Sequence, residues 1–260
     1  MKKAVVRSMT ERYGITQFAE TGVKYQIEFF ILNDVATLMI DTSGIALHKR
    51  GYRKDSLGAP IRETLAAAIA ATSRPRENVL LWDPMCGSGT IAIEAAMMMK
   101  GIAPGRSRKF AAEDFAFIDK SVWKNAREEA FDLEHHTDFQ AFASDIDSSA
   151  VALAEKNARL AGVSDVIKVF RQDARKISAD GRRGTIVCNP PYGERLGTLR
   201  EVEQLYKEIG IHFRSLSPWQ AYIITSHPQF ERFYGRRADK VRKLYNGMLP
   251  CFLYQYFKNK

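Results

Sequence analysis

Residues 80–90 read Leu80-Leu81-Trp82-Asp83-Pro84-Met85-Cys86-Gly87-Ser88-Gly89-Thr90, and this stretch decides the fold class. Its apolar start predicts a buried strand that ends near Asp83, and the apolar residues after Thr90 predict a helix. Gly87 and Gly89 lie in the turn between them, where the lack of a side chain lets the backbone approach a ligand at a helix N-terminus. This order predicts an α/β protein with a ligand site at the end of the strand.

The rest of the chain alternates strand and helix patterns, which is typical of a parallel sheet with helices on both faces. We predict parallel strands at residues 79–82, 141–144, 166–170, 185–188 and 221–225. We predict helices at residues 61–71, 91–100, 149–160, 201–216 and 228–234. Asn246-Gly247 separates two more strands, 241–245 and 248–257, and is a strong hairpin signal. The sheet should therefore end in an antiparallel pair.

The first 55 residues have a different pattern from the rest of the chain. A basic helical stretch, 2–13, precedes two apolar runs, 25–32 and 35–40, and Asn33-Asp34 between the runs indicates a hairpin turn. We therefore predict a small α/β segment with a linker at 1–55. We predict the main domain at 56–260, with Pro60 opening its first helix and an insertion at 101–140.

Composition narrows the functional class. The chain has 260 residues and a net charge of +9, with 39 Lys and Arg against 30 Asp and Glu, which weakly favours a polyanionic partner. Three cysteines without CxxC spacing indicate a reduced compartment. No apolar run approaches the roughly 18 residues of a membrane-spanning helix. We expect a cytoplasmic protein without a membrane or metal requirement, and the oligomeric state stays open.

Three aspartates follow successive predicted strands: Asp83, Asp145 and Asp173. Ligands of open parallel sheets bind along the carboxyl edge, so these side chains should line one site. Asp83 could bind the ammonium of an amino-acid moiety, Asp145 both ribose hydroxyls, and Asp173 an adenine amino group. Asp147 is predicted to cap the next helix instead.

The turn alone also fits a dinucleotide fingerprint, because Gly87-x-Gly89-x-x-Ala92 has the required spacing. Two features argue against this alternative. The Asp83 carboxylate would repel a pyrophosphate, and no acidic residue follows at about 20 residues on a second strand. A dinucleotide-dependent oxidoreductase is therefore the weaker interpretation.

The fourth predicted strand ends in Asn189-Pro190-Pro191-Tyr192, which suits methylation of an exocyclic base amine. The lone pair of such an amine is delocalised into the ring until its hydrogens are held out of plane. The Asn189 side-chain oxygen and the Pro190 carbonyl could accept these hydrogens. Pro190 and Pro191 stiffen the loop, and Tyr192 could stack on an extruded base.

These residues resemble class I methyltransferases with an Asn-Pro-Pro-Tyr motif, and more narrowly the THUMP-domain ribosomal RNA N2-guanine methyltransferases. The matching segments are residues 41–44, 47–53, 83–96, 189–197 and 243–247. The resemblance implies a doubly wound, Rossmann-like sheet of seven strands, S-adenosylmethionine as cofactor, and guanine N2 of large-subunit ribosomal RNA as acceptor. Family members carry a complete THUMP domain, whereas residues 1–44 match only its end. We therefore expect a truncated THUMP domain, and either a fragment of a longer protein or reduced RNA capture.

Two sets of site residues follow from the motifs and the resemblance. The predicted catalytic residues are Asn189, Pro190, Pro191 and Tyr192. The predicted cofactor-binding residues are Asp83, Pro84, Cys86, Gly87, Gly89, Thr90, Asp145, Ile146, Asp173, Ala174 and Asn189.

A third set is predicted to bind RNA, because cations mixed with an aromatic residue suit phosphate contact plus stacking. Its members are Lys49, Arg50, Tyr52 and Arg53 in the linker 48–54, Arg106, Arg108 and Lys109 in the insertion, and Arg195 after the catalytic motif. The expected partner is RNA, with ribosomal RNA first. Three rival functions stay open: methylation of adenine N6 in DNA or RNA, methylation of a glutamine side chain in a protein, and an RNA-binding module without catalysis.

Overall fold

The computed structural model describes residues 2–18, 21–53, 61–192, 198–216 and 218–257, and its contacts divide the chain into two units. The smaller unit contains residues 1–45 and 109–123, and the larger contains 46–108 and 124–260. This division differs from the predicted boundary at residue 55 in two respects. Residues 46–53 belong to the larger unit, and 109–123 of the predicted insertion belong to the smaller one.

The smaller unit is built on helix α1 (Lys2–Tyr13) and an antiparallel hairpin of β1 (Gln26–Leu32) and β2 (Val35–Asp41). Asn33 and Asp34 form the predicted turn, with φ angles of 49° and 61°. Such left-handed angles are tolerated best by glycine, asparagine and aspartate, which explains the sequence of the turn.

The segment 109–123 packs onto the hairpin end of the smaller unit. The backbone N–H of Ala112 donates to the carbonyl of Thr42 at 3.1 Å. The ring of Tyr25 lies against Phe115, with 4.7 Å between the ring centroids. Apart from Asp41, every residue of β1 and β2 is exposed, so the hairpin has little core of its own.

The larger unit contains the remaining regular elements. Its helices are α2 (Glu63–Ser73), α3 (Thr90–Met99), α5 (Ser148–Ala161), α6 (Leu199–Ser215) and α7 (Phe230–Tyr234), while α4 (Lys120–Asp132) begins in the smaller unit. Its strands are β3 (Leu80–Asp83), β4 (Ala141–Asp145), β5 (Ile167–Arg171), β6 (Gly184–Cys188), β7 (Gln220–Thr225), β8 (Lys240–Asn246) and β9 (Leu249–Tyr256). None of the described helices is both long and apolar enough to cross a membrane.

The seven strands form one sheet in the order β5-β4-β3-β6-β7-β9-β8. The first five are parallel, and β9 pairs antiparallel with both β7 and β8. This confirms the predicted α/β sheet with its C-terminal hairpin. The strand order reverses between β3 and β6, which makes the carboxyl ends of these two strands the switch point where open sheets bind ligands.

Alternating strand residues divide the core between the two faces of the sheet. Leu81 and Val187 pack in a cluster with residues of α2, α3 and α5. Trp82 follows Leu81 and Ile186 precedes Val187, and both pack in a second cluster with residues of α6 and α7. Burial on both faces fixes the register of β3 and β6, because a shift by one residue would exchange the two clusters. The ends of these strands are therefore held firmly.

Candidate active site

The glycine-rich turn after β3 has the geometry of a ligand cradle. Gly87 has φ +51°, and a β-carbon built on it would meet nothing within 4 Å, so open space lies beside its backbone. Gly89 has φ +78°, and its β-carbon would lie 3.0 Å from the Ala154 side chain on α5. Gly87 thus leaves room for a ligand, while Gly89 allows close packing of the turn on α5.

Asp83 lies at the end of β3 and is 2% exposed. The Met85 backbone N–H donates a hydrogen bond to the Asp83 Oδ1 at 3.4 Å. Burial raises the pKa of Asp83 well above its usual value, and the nearby carboxylate of Asp145 raises it further. A buried carboxylate is stabilised as an anion when a cation binds beside it, so Asp83 fits the ammonium group predicted for it.

Asp145 links the end of β4 to the glycine turn. Its Oδ2 accepts a hydrogen bond from the Gly87 N–H at 2.9 Å, and its Oδ1 accepts from the Asp147 N–H at 3.1 Å. Each carboxylate oxygen has two lone pairs, so each can accept one more hydrogen bond, as a ribose diol requires. Asp147 itself accepts from the Ser149 N–H at 2.8 Å and caps α5, which confirms that sequence prediction.

Asp173 follows β5 but is already paired. Both of its oxygens accept hydrogen bonds from the Arg175 guanidinium, the shortest at 2.6 Å, and its Oδ1 caps the short 3₁₀ turn that follows. These bonds lower the pKa of Asp173. Arg175 also donates to Glu208 of α6 at 2.9 Å. An adenine amino group would have to share Asp173 with Arg175, which the sequence did not indicate.

The other predicted cofactor-binding residues differ in accessibility. Pro84, Cys86, Thr90 and Ala174 are buried, whereas Ile146 is 56% exposed. Burial raises the pKa of the Cys86 thiol well above its usual value, which keeps it protonated and supports a packing role. Thr90 is bonded to Ser88 at 3.0 Å and does not face open space.

The loop Asn189–Tyr192 begins directly after β6, the neighbour of β3. Its first residue is half-buried, and the Asn189 Oδ1 accepts a hydrogen bond from the Tyr192 hydroxyl. Tyr192 is also half-buried and packs against the core, and this burial raises the pKa of its hydroxyl. The ring therefore packs partly against the core, and its hydroxyl is engaged by Asn189.

Tyr206, which contacts this loop from α6, was not predicted as a site residue from the sequence. The hydroxyl of Tyr206, on α6, donates to the Pro191 carbonyl at 2.7 Å. An aromatic residue on the apolar face of a predicted helix indicates core packing, so no sequence signal distinguishes this hydroxyl.

The structure corrects the role predicted for the linker residues Arg50, Tyr52 and Arg53. Tyr52 is 4% exposed and donates to the Glu94 Oε1 at 3.0 Å, so its ring offers no surface to a base. Arg50 lies 3.5 Å from Glu94, and Arg53 lies 3.0 Å from Glu63. Both carboxylates are buried on α3 and α2, so these side chains neutralise the interior instead of facing RNA.

The remaining predicted RNA-binding residues are only partly available. Lys49 is exposed, and Lys109 is exposed although its Nζ lies 2.9 Å from Asp114. The Arg106 Nη1 donates to both carboxylate oxygens of Glu134, at 2.8 Å each. Arg108 is buried and donates to the Ala46 carbonyl at 3.1 Å. Lys54, Pro60, Arg195 and the motif residues 193–197 lie outside the described part of the chain.

The family can be assigned once this geometry is compared with known proteins. Residues 50–255 match the UPF0020 family, described as an RMKL-like methyltransferase domain. The chain belongs to this family. The match spans β3 to β9 almost completely, so it covers the glycine turn, the aspartates and the Asn189–Tyr192 loop.

Two relatives illustrate the range of the family. YpsC of Bacillus subtilis, provisionally named an RNA methyltransferase, is 44% identical over 260 residues, and the match covers 99% of this chain and 68% of YpsC. The ribosomal RNA large subunit methyltransferase K/L of Legionella pneumophila is 39% identical over 234 residues. That match covers 88% of this chain, and the chain spans only about a third of the relative, 33%.

Two solved structures share the fold closely. SMU.472, described provisionally as a methyltransferase and complexed with S-adenosylhomocysteine, is 39% identical with a TM-score of 0.88, over 100% of this chain and 69% of that one. A Listeria monocytogenes protein, described as a predicted N6-adenine-specific DNA methylase, is 41% identical with a TM-score of 0.87. The match covers 99% of this chain and 67% of that one. The chain is therefore a class I methyltransferase fold, and its cofactor is S-adenosylmethionine.

Proposed function

We propose that this chain is a cytoplasmic enzyme that methylates the exocyclic N2 amino group of a guanine in RNA, with large-subunit ribosomal RNA as acceptor. The observation that carries the proposal is the place of Asn189. It follows β6 at the switch point of the sheet, and its Oδ1 already accepts a hydrogen bond from a hydroxyl. The names of YpsC and of the K/L relative support an RNA acceptor.

The acceptor amine would be held by the Asn189 Oδ1 and the Pro190 carbonyl, one hydrogen on each. This arrangement localises the nitrogen lone pair for attack. The Asn189 Oδ1 has two lone pairs and accepts one hydrogen bond from the Tyr192 hydroxyl, so it can accept a second from the amine. The half-buried Tyr192 ring would stack on the base. No general base is needed before attack, because methylation acidifies the nitrogen and the proton then leaves.

The donor would be held by Asp83, the open backbone at Gly87, and Asp145. The buried carboxylate of Asp83 suits the ammonium group, and the free lone pairs of Asp145 suit the ribose hydroxyls. Asp173 would bind the adenine amino group beside Arg175. When bound, S-adenosylmethionine supplies an electrophilic methyl group on a sulfonium.

Residues 1–44 would correspond to the end of a THUMP domain that captures RNA. The α-helix followed by an exposed antiparallel hairpin supports this assignment. The hairpin exposes large apolar side chains, including Ile27, Phe30 and Leu38, at 63%, 54% and 68%. A two-stranded hairpin is marginally stable alone, so the packing of residues 109–123 against it contributes to its stability.

The substitution Asn189→Ala tests the catalytic assignment. We expect the methylation rate to fall by roughly 100-fold or more, because one placed polar group in a closed site is lost. The affinity for S-adenosylhomocysteine, measured by calorimetry, should stay within about twofold of the parent value, because we assign Asn189 to the acceptor and not to the cofactor-binding role that the sequence also predicted. Single-turnover transfer to RNA provides the rate.

Asn157→Ala provides the contrast, because Asn157 is a buried asparagine of the larger unit that lies outside the Asn189–Tyr192 loop. Its Nδ2 donates to the Ser88 carbonyl at 2.9 Å, so this change should disturb the donor turn rather than the acceptor. The proposal is wrong if Asn189→Ala chiefly reduces donor affinity while the transfer rate from the bound donor is retained.

A further inference from the structure

The catalytic loop is held by a chain of buried hydroxyl groups that links α6, β7 and the end of β6. The Tyr206 hydroxyl lies 2.7 Å from the Pro191 carbonyl and 2.9 Å from the Thr225 Oγ1. Tyr206 and Thr225 are both 0% exposed. Polar groups buried this completely must satisfy one another, so the arrangement is expensive to break.

The direction of every hydrogen bond in this chain follows from counting hydrogens. A carbonyl can only accept, so the single hydrogen of Tyr206 goes to Pro191. The contact between Tyr206 and Thr225 must then use the hydrogen of Thr225. The Thr225 oxygen in turn accepts the His227 N–H at 3.1 Å. The series of hydrogen bonds therefore runs in one direction, from the His227 N–H through the Thr225 and Tyr206 hydroxyls to the Pro191 carbonyl.

The Pro191 carbonyl, which accepts the last of these hydrogen bonds, controls the conformation of the loop. Proline fixes φ near −65°, so Pro190 and Pro191 leave only their ψ angles free. The orientation of the Pro191 carbonyl sets ψ at that residue and hence the direction in which Tyr192 leaves the loop. A bond to this carbonyl removes the main remaining freedom between Asn189 and Tyr192.

The donor state of Tyr206 is stable over the working pH range. Burial raises the pKa of its hydroxyl, so the group remains protonated and keeps donating. Its ring is fixed by edge-to-face contacts with His227 and Phe230, with centroid distances of 5.5 Å and 4.9 Å. The ring packing and the hydroxyl contact can therefore be separated by removing the oxygen alone.

We propose that Tyr206, supported by Thr225, is a positioning residue for methyl transfer that holds the Pro191 carbonyl and thereby orients Asn189 and Pro190 toward the acceptor amine. The proposal rests on the function proposed above, because it assigns Asn189 to the acceptor. A purely structural role would instead change the stability of the protein without changing the transfer rate in the folded enzyme.

The first test is Tyr206→Phe, which keeps the ring and removes the hydroxyl. We expect kcat to fall roughly 10- to 100-fold, because a small misplacement of the reacting groups is costly. The KM for RNA and the affinity for S-adenosylhomocysteine should stay within about twofold. Tyr256→Phe is the matched control, since that buried hydroxyl donates to the Arg236 carbonyl at 3.4 Å, outside the loop. Its kcat should not change.

Two further variants separate positioning from folding. Thr225→Ser keeps the hydroxyl and should keep kcat, whereas Thr225→Val removes it and should lower kcat in the same direction as Tyr206→Phe. In an Asn189→Ala background, Tyr206→Phe should have little further effect, because both changes disable the same contact. Multiplicative losses in the double variant, or an unchanged kcat in Tyr206→Phe, would overturn the proposal.

Amide hydrogen exchange keeps the test independent of the acceptor. Without its hydroxyl anchor, the loop should open more often, so the Asn189 and Tyr192 amides should exchange faster in Tyr206→Phe than in Tyr256→Phe. If the parent enzyme transfers no methyl group to RNA, the proposed function fails, and exchange then decides on Tyr206 alone. Equal exchange in both variants would contradict the positioning role.

Discussion

Asp83 keeps a carboxylate in the interior at the end of β3, where water cannot solvate its charge. Its Oδ1 accepts a long hydrogen bond from the Met85 backbone N–H, and burial raises its pKa well above the usual value. An ionised group in such a place costs stability until a cation binds beside it. A cationic ligand group beside Asp83, such as the ammonium group proposed above, would offset this cost.

The substitution Asp83→Asn should reduce the affinity for S-adenosylhomocysteine by roughly 10- to 100-fold, the usual loss for a hydrogen bond to a charged group. The same change should leave the Tm of the ligand-free protein equal or higher, because a buried charge is removed. Calorimetry and thermal unfolding measure the two effects. A variant that binds the donor normally would show that Asp83 does not hold it.

The stability difference between Asp83→Asn and the parent should depend on pH. The folded pKa of Asp83 is raised, so the folded state binds its proton more tightly than the unfolded chain does. Tighter proton binding by Asp83 therefore stabilises the folded parent fully below the pKa that Asp83 has in the unfolded chain. This stabilisation is lost as the pH rises through the raised pKa of Asp83 in the folded protein. The advantage of the variant should grow over that interval and level off above it. Unfolding followed between pH 4 and 9 checks the sign, and an advantage that shrinks with rising pH would contradict it.

At the scale of elements, the segment 46–53 is an internal support of α2 and α3. Arg53 and Glu63 have side chains only 10% and 4% exposed, and their charged atoms lie 3.0 Å apart. Arg53 also donates to the Ile61 carbonyl and to Thr90, the first residue of α3, at 3.0 Å and 3.1 Å. The segment therefore stabilises the helix that begins at the glycine turn.

Arg53→Ala should lower the free energy of unfolding by about 3–5 kcal/mol, because it leaves the buried charge of Glu63 unpaired. Lys49→Ala, four residues earlier and exposed, should change it by no more than about 0.5 kcal/mol. Urea denaturation measures both. If the two variants were equally stable, Arg53 would not be the partner that Glu63 requires.

For RNA binding, in contrast to stability, we expect Lys49→Ala to have the larger effect and Arg53→Ala the smaller one. Lys49 is exposed, so Lys49→Ala should remove one phosphate contact and reduce the slope of log affinity against log salt by roughly 0.7 to 0.9. Folded Arg53→Ala should keep the parent slope, because Arg53 faces the interior. Binding of one RNA fragment at several salt concentrations gives the slopes. An unchanged slope for Lys49→Ala would exclude a phosphate contact there.

Helices and strands were largely predictable from the sequence, and side-chain partners were not. The predicted ends of α2 and α6 lie within two residues of the observed ones, because apolar periodicity records which face is buried. The partners of Arg53 and Tyr206 depend on contacts across the fold. Glu94 offered a weak signal, because it is a charged residue inside the apolar run of α3 and buried charged residues are usually paired.

At the scale of the whole molecule, sheet order brings together motifs that are far apart in sequence. Asp83 and Asn189 are separated by 106 positions, yet β3 and β6 are neighbours and both residues lie at the same edge. The predicted alternation of strands and helices was enough to anticipate this edge. It did not predict that residues 109–123 join the N-terminal hairpin, because that contact depends on the path of the chain between α3 and α4.

The atom that receives the methyl group is identified most directly by analysis of the methylated product. The enzyme is incubated with labelled S-adenosylmethionine and, separately, with RNA, DNA and protein pools, and the labelled polymers are then digested to nucleosides or amino acids. We expect label in RNA, recovered as N2-methylguanosine, and we expect this label to be lost in Asn189→Ala. Label recovered as N6-methyladenine, or found in DNA or protein instead of RNA, would contradict this expectation.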